Sequence, residues 1–154
     1  MNRLANFIIS RTITRPPNQV IGGVDDPYLL RWHVIPRNPL FNIYLHLFLR
    51  SDDPRALHDH PWANISWLML GTYTEHVLAN GKPATRIRYA GDVVIRPSGR
   101  SLHRIELHSG SVWTLFITGP RYRKWGFQCP QGWVRNDLYN DSNDPGVIGK
   151  GCAQ

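Results

Sequence analysis

Two histidines one residue apart, His58 and His60 in the run Leu57-His58-Asp59-His60-Pro61-Trp62, are the residues of this chain best placed to do chemistry. Side chains alternate faces along an extended strand, so both imidazoles point the same way from one rigid backbone. Imidazole nitrogen binds Zn, Fe, Ni and Cu, and two such donors need only one or two more to close or nearly close a site. A third donor is expected from His103, which follows the strand and Pro/Gly turn Gly91-Asp92-Val93-Val94-Ile95-Arg96-Pro97-Ser98-Gly99. Taken alone, an HxH pair in a chain with seven histidines among 154 residues has a plainer reading, a surface loop with two solvated imidazoles. The apolar run Ile65 to Leu70 and the second, glycine-rich element with its own histidine favour a single shared site.

The elements that must position these side chains read as strands almost throughout. Asn42 to Leu49 alternates Tyr44, His46 and Phe48 against Ile43, Leu45, Leu47 and Leu49, so both faces are largely apolar and the strand is expected to be covered on both sides. Ile65 to Leu70 and Tyr73 to Leu78 flank Gly71-Thr72, which reads as a tight hairpin, and Asn80-Gly81 is a strong turn signal. Thr85 to Tyr89 sets Arg86 and Arg88 against Ile87 and Tyr89, and Val112 to Thr118 reads as another buried strand. No amphipathic helical run of twelve or more residues occurs. Many short strands separated by turns predict an all-β sandwich or barrel.

With these motifs in place the chain resembles the cupins, small double-stranded β-helix barrels of the RmlC-like jelly-roll type. Their first motif runs Gly, five residues, HxH, three or four residues, Glu, six residues, Gly; here it is represented by His58-Asp59-His60 and Gly71. The second is represented by Gly91, Pro97, Gly99 and His103, with the step from Gly99 to His103 one residue longer than usual. More narrowly, the stretch from Tyr28 to Val134, with RSDDPRALHDHPW, LGTYTEH and WGFQCPQGW, looks like a group of uncharacterised cupin proteins of bacteria and their phages. The resemblance implies a cupin jelly-roll barrel holding a divalent metal ion (Fe, Mn, Ni or Zn). His58, His60 and His103 would be ligands, with Asn64 at or beside the position of the family's glutamate. No carboxylate lies between His60 and Gly71; Glu75, past the turn, is the alternative to Asn64 as a ligand, but reads more simply as exposed next to His76. Three imidazoles and an amide carry less negative charge than the usual set, yet still suit a divalent ion with open positions for water or substrate.

Polar partners for a substrate are expected near the metal. His46 and Tyr44 share a strand face, and His46 also reads simply as a buried, hydrogen-bonded histidine. Arg96 before the Pro97 turn, and equally Arg88, are candidates to hold a substrate carboxylate, whereas Arg104 falls on the face opposite His103. Trp62, Trp67, Trp113, Trp125 and Phe127 line either a pocket or the core.

Length fits one domain over residues 1–154, its core about 28–134, and at this size folding buries close to about 70% of the unfolded chain's surface. Residues 1–27 are expected to form an extended N-terminal arm. In barrels of this type such an arm often crosses to a second subunit, and a homodimer is the family default. Residues 136–154, polar and Gly-rich, read as a mobile tail. Only Cys129 and Cys152 are present, far apart, so no disulfide framework or CxxC zinc pattern is expected and a reducing, cytoplasmic setting fits. Cys129 reads as a buried inert cysteine or a reactive thiol. The apolar stretch Phe7-Ile8-Ile9 is too brief for a signal peptide or a membrane span. The formal charge of +7 is spread over scattered arginines, with one dense cluster at Arg121-Tyr122-Arg123-Lys124 after Gly119-Pro120, which argues against nucleic acid as a partner and for a solvated loop.

Two functions from different classes follow. One is a metal-dependent enzyme acting on a small polar metabolite, of dioxygenase type ahead of isomerisation or hydrolysis. The other is a catalytically silent cupin that binds a small ligand or serves as an assembly module.

Overall fold

The computed structural model describes residues 3–108, 110–141 and 147–153. Along the chain come α1 (Arg3–Thr12), β1 (Gln19–Ile21), β2 (Leu29–His33), β3 (Asn42–Phe48), β4 (Leu57–His58), β5 (Asn64–Leu70) and β6 (Thr72–Ala79). β7 (Lys82–Tyr89), β8 (Val93–Arg96), β9 (His103–Leu107), β10 (Val112–Thr118), β11 (Gly126–Cys129), β12 (Gly132–Arg135) and α2 (Asn136–Tyr139) complete it. The strands form two six-stranded antiparallel sheets, ordered β1-β2-β3-β10-β5-β8 and β12-β11-β4-β9-β6-β7. This is the cupin jelly roll; hydrogen bonding does not close the two sheets into a continuous barrel.

Period-2 alternation explains the layers. Along β3, Tyr44, His46 and Phe48 face the other sheet, and Leu45, fully buried, faces outward under α1. Buried Leu29, Phe48, Leu68, Tyr73, Ile105 and Val112 join the sheets at one end. Each such side chain contributes roughly 1.5–3 kcal/mol. The outward face of the first sheet is covered because α1 lays Ala5, Ile8 and Ile9 on Trp32, Leu45 and Met69. That ten-residue helix went unread in the sequence. Trp67 and Trp113 belong to this layer and not to the cavity.

Three expectations are corrected. Gly71-Thr72 is not a hairpin: β5 pairs with β8 and β10, whereas β6 pairs with β7 and β9, so the chain changes sheets there. Gly71 (φ +96°) makes the crossing possible, for a Cβ would lie 2.8 Å from Val112 Cγ2. The N-terminal arm is not free to reach a second subunit along its whole length, since β1 pairs with β2 of its own chain.

The third correction concerns the tail, of which residues 142–146 and 154 lie outside the described residues. Asn140 bridges to Ile148, Tyr139 is fully buried on Phe127 with ring centroids 3.7 Å apart, and Cys152 forms a disulfide with Cys129. Neither cysteine is therefore a free thiol, and the cysteine-based argument for a reducing compartment falls away. The Asn80-Gly81 turn is as expected, with φ of +52° and +76°, joining β6 to β7. Among the described residues no helix is long and apolar enough to cross a membrane.

Candidate metal centre

β4 is short because the chain bends away at Asp59, and its two residues are held on both sides. His58 pairs with Phe127 of β11 and with His103 of β9. Asp59 points away from the two imidazoles and locks the bend: its carboxylate accepts from the Gly126 N–H (2.7 Å), Arg123 Nη1 (2.6 Å) and Trp133 Nε1 (3.1 Å). Arg123, from the basic cluster read as a solvated loop, is thus part of the scaffold. The His60 N–H donates to Gly99 O at 2.8 Å, so the turn before His103 is tied to the HxH bend. Only glycine fits there, because a Cβ on residue 99 would meet His60 O at 2.4 Å.

These constraints bring the three imidazoles together. Ring centroids are 5.2 Å apart for His58 and His60, 4.6 Å for His58 and His103, and 5.1 Å for His60 and His103. One nitrogen of each lies within 4.8 Å of the other two, and the Nε2 atoms of His60 and His103 are 2.8 Å apart. Two nitrogens on one ion at about 2.0–2.1 Å would sit about 3 Å apart, so the donor set fits a divalent ion with little rearrangement. Burial pushes the His58 pKa down, partly opposed by Asp52, and holds His60 and His103 well below the ordinary imidazole value, with Arg96 adding to the effect. All three are therefore neutral near pH 7, the form that donates a lone pair.

Behind the rings sit charged groups. His58 Nδ1 lies 3.7 Å from Asp52 Oδ2, and Asp52 also accepts from Tyr28 Oη and from the Ile105 N–H (2.5 Å). Behind His103, Glu75 is buried between two arginines: Arg88 Nη2 at 2.8 Å, and Arg96 Nη2. His103 Nδ1 is 3.3 Å from Arg96 Nη2 and 3.7 Å from Glu75 Oε1. The exposed position expected of Glu75 is thus overturned; on β6 it shares a face with buried Tyr73.

Asn64 is buried and does not line the cavity. Its Oδ1, the atom that would ligate, accepts from Arg96 Nη1 at 3.3 Å.

The imidazoles open on a cavity of about 570 Å³ between the sheets. His46 and Arg96 line it, as do Trp62, Trp125 and Phe127; Tyr44 and Arg88 do not. Tyr44 instead supports Arg31, whose guanidinium carbon lies 4.9 Å from its ring centroid, and Arg88 serves Glu75. Arg104 points away, to Glu106 (3.6 Å) and His76 (3.3 Å), as alternation requires. Asp52 and Arg31 were missed in the sequence. An arginine inside the apolar run Tyr28-Leu29-Leu30-Arg31-Trp32 was the available signal for Arg31, whereas nothing in the spacing singled out Asp52.

No family model and no curated protein matches the sequence. Solved structures do match in fold. Hydroxypropylphosphonic acid epoxidase from S. wedmorenis aligns with 65% of this chain and 54% of its own at 13% identity and TM-score 0.51. KdgF from Halomonas sp. aligns with 68% of this chain and 88% of its own at 17% identity and TM-score 0.50. Oxalate decarboxylase from Bacillus subtilis aligns with 76% of this chain and 31% of its own at 20% identity and TM-score 0.51. The epoxidase has been solved in an FeII form, and the decarboxylase contains Mn(II) centers. The chain spans only about half of the epoxidase's length, and what these likenesses show is the cupin fold.

Proposed function

We propose that this cupin-fold protein is a metal-dependent enzyme that acts on a small polar metabolite inside the jelly roll, with a divalent ion held by His58, His60 and His103. The observation that carries this reading is the convergence of three neutral imidazole nitrogens, within 4.8 Å of one another, on the wall of the cavity between the sheets. The FeII and Mn(II) forms of two structural neighbours support a redox-active or Lewis-acidic ion over a purely structural one. The reaction class favoured is oxygen insertion of dioxygenase type, with O2 as co-substrate. A donor set of three neutral side chains leaves several positions open, more than a closed structural site leaves.

Such an ion, when bound, would polarise a substrate oxygen or, as Fe(II), take substrate and O2 together. The chain's own residues do the rest. The Asp52 carboxylate, 3.7 Å from Nδ1 of His58, electrostatically favours a proton on that nitrogen, which leaves Nε2 free to ligate. Glu75 can take the same part toward His103 once Arg96 yields. Trp62, Trp125 and Phe127 form an apolar wall that limits water around the reacting centre.

The test is elemental analysis of protein purified without a histidine tag, followed by O2 consumption with Fe(II) and candidate thiols or aromatic acids. Near-stoichiometric metal that is lost in His58→Ala, His60→Ala and His103→Ala variants supports the reading. Metal uptake unchanged by all three variants removes it, and leaves a catalytically silent cupin that binds a ligand.

A further inference from the structure

We propose that Arg31 and His46 form a carboxylate-binding subsite, so that the substrate is a small organic monocarboxylate anchored at Arg31 with its far end toward the three histidines. Arg31 lies on the inward face of β2 and lines the cavity. Its Nε donates to His46 Nε2 at 2.8 Å and its Nη1 to Gln19 Oε1 at 3.1 Å, and its guanidinium lies over the Tyr44 ring. Among the described residues Nη2 has no partner and no carboxylate lies within ion-pair distance of the side chain.

That isolation is specific to Arg31. The other cationic side chains on the cavity wall are compensated, Arg96 by Glu75 and Arg50 by Asp26 at 3.4 Å. The carboxylates on the wall are committed as well. Asp52 is held by Tyr28 and the Ile105 N–H, and Asp53 by Arg55 at 2.9 Å and by Tyr139. Burial lowers the Arg31 pKa but leaves a guanidinium charged at any physiological pH. A partly desolvated charge without a counterion is costly, and a ligand that supplies the missing charge reduces that cost.

The chemistry of the ligand follows from the donors. A planar fork with free N–H groups matches a carboxylate in two-point geometry, and one uncompensated positive charge matches one negative charge better than the two of a phosphate. His46 adds to the recognition. Its Nε2 accepts from Arg31, so Nδ1 carries the proton of the neutral ring, and Nδ1 has no partner among the described residues. Phe116 sets the reach, since its ring centroid is 5.3 Å from that of His46 and 5.7 Å from that of His60. A molecule of a few carbons held at Arg31 therefore extends across Phe116 to the imidazoles. Only the identification of the bound anion as substrate rests on the proposed enzyme function; anion binding itself does not.

Binding is measured on the metal-free full chain by titration with propanoate, its neutral isostere propanamide, and inorganic phosphate. The expected result is saturable propanoate binding, about 10- to 100-fold tighter than propanamide. Arg31→Gln should bring propanoate down to the propanamide level, and Arg31→Lys should fall between. Propanoate binding no tighter than propanamide, or undiminished in Arg31→Gln, overturns the proposal, and phosphate binding more tightly than propanoate overturns the carboxylate assignment. If Arg31→Gln does not fold, the wild-type comparison decides together with the Arg31 Nε–H NMR signal, which must shift with propanoate and not with propanamide. Propanoate binding in a chain that takes up no metal would sink the enzyme reading, and with it the anion's role as substrate, and leave the carboxylate subsite intact.

Discussion

His58 is the direct cross-strand neighbour of His103, and among the described residues this is the single register pair that joins β4 to β9. A two-residue strand thus fixes the relation between the two halves of the donor set. Replacing either residue with alanine should lower affinity for Zn or Mn by at least about 100-fold, beyond the 10- to 100-fold typical of losing a supporting hydrogen bond. Isothermal titration with each ion checks this, and a loss of only a few-fold would mean that the ion sits elsewhere.

Among the described residues Glu75 is the only carboxylate that compensates Arg88 and Arg96, whose side chains are 19% and 7% exposed. Glu75→Gln leaves two largely buried guanidinium groups short of a counter-charge and should cost roughly 3–5 kcal/mol of stability. The same variant should weaken metal binding, because Arg96 Nη2 remains against His103 Nδ1 while the negative charge that offsets it is gone. Chemical denaturation and metal titration of one preparation read both effects.

The Cys129–Cys152 bond closes a loop across a sequence separation of 23. Chain entropy for a loop of that size predicts about 3 kcal/mol of stabilisation. Reduction with dithiothreitol should therefore lower Tm by about 6–12 °C for a domain of this length. A melting curve that does not respond to the reductant would mean that the tail is held by Tyr139 and its neighbours alone.

His46, His58, His60 and His103 all have folded-state pKa values below the ordinary imidazole value, each chiefly through burial. The unfolded chain takes up protons at these positions below about pH 6.5 and the folded chain does not, so stability falls as pH drops through that value. Each group contributes at most about 1.4 kcal/mol per pH unit. The metal-free protein should lose urea resistance steeply from pH 6.5 to 5.5 and change little from 7 to 8. Replacing His46, which faces Arg31, Tyr44 and Phe116, with Gln should make the slope shallower. Equal slopes in the two proteins would contradict burial as a neutral ring.

What the sequence revealed and what it hid divide along physical lines. The HxH pair and His103 were readable because period-2 alternation and a Pro/Gly turn are local properties. Gly71 misled because a glycine between two apolar strands looks alike whether the chain folds back or passes to the facing sheet. Glu75 was misjudged against its own pattern, since Tyr73, Glu75 and Val77 share a face and the first of these is plainly inward. The solitude of Arg31 and the meeting of Cys129 with Cys152 depend on residues far apart in the chain, so no local pattern displays them.

Asp59 stands between His58 and His60 and does not line the cavity, yet its carboxylate ties together Gly126, Arg123 and Trp133. The bend that spaces the two imidazoles is consequently braced by the neighbouring β11–β12 hairpin and by Arg123 just before it. A disturbance of β11 and β12 would therefore reach the bend by two routes, the Asp59 carboxylate and the direct pairing of Phe127 with His58.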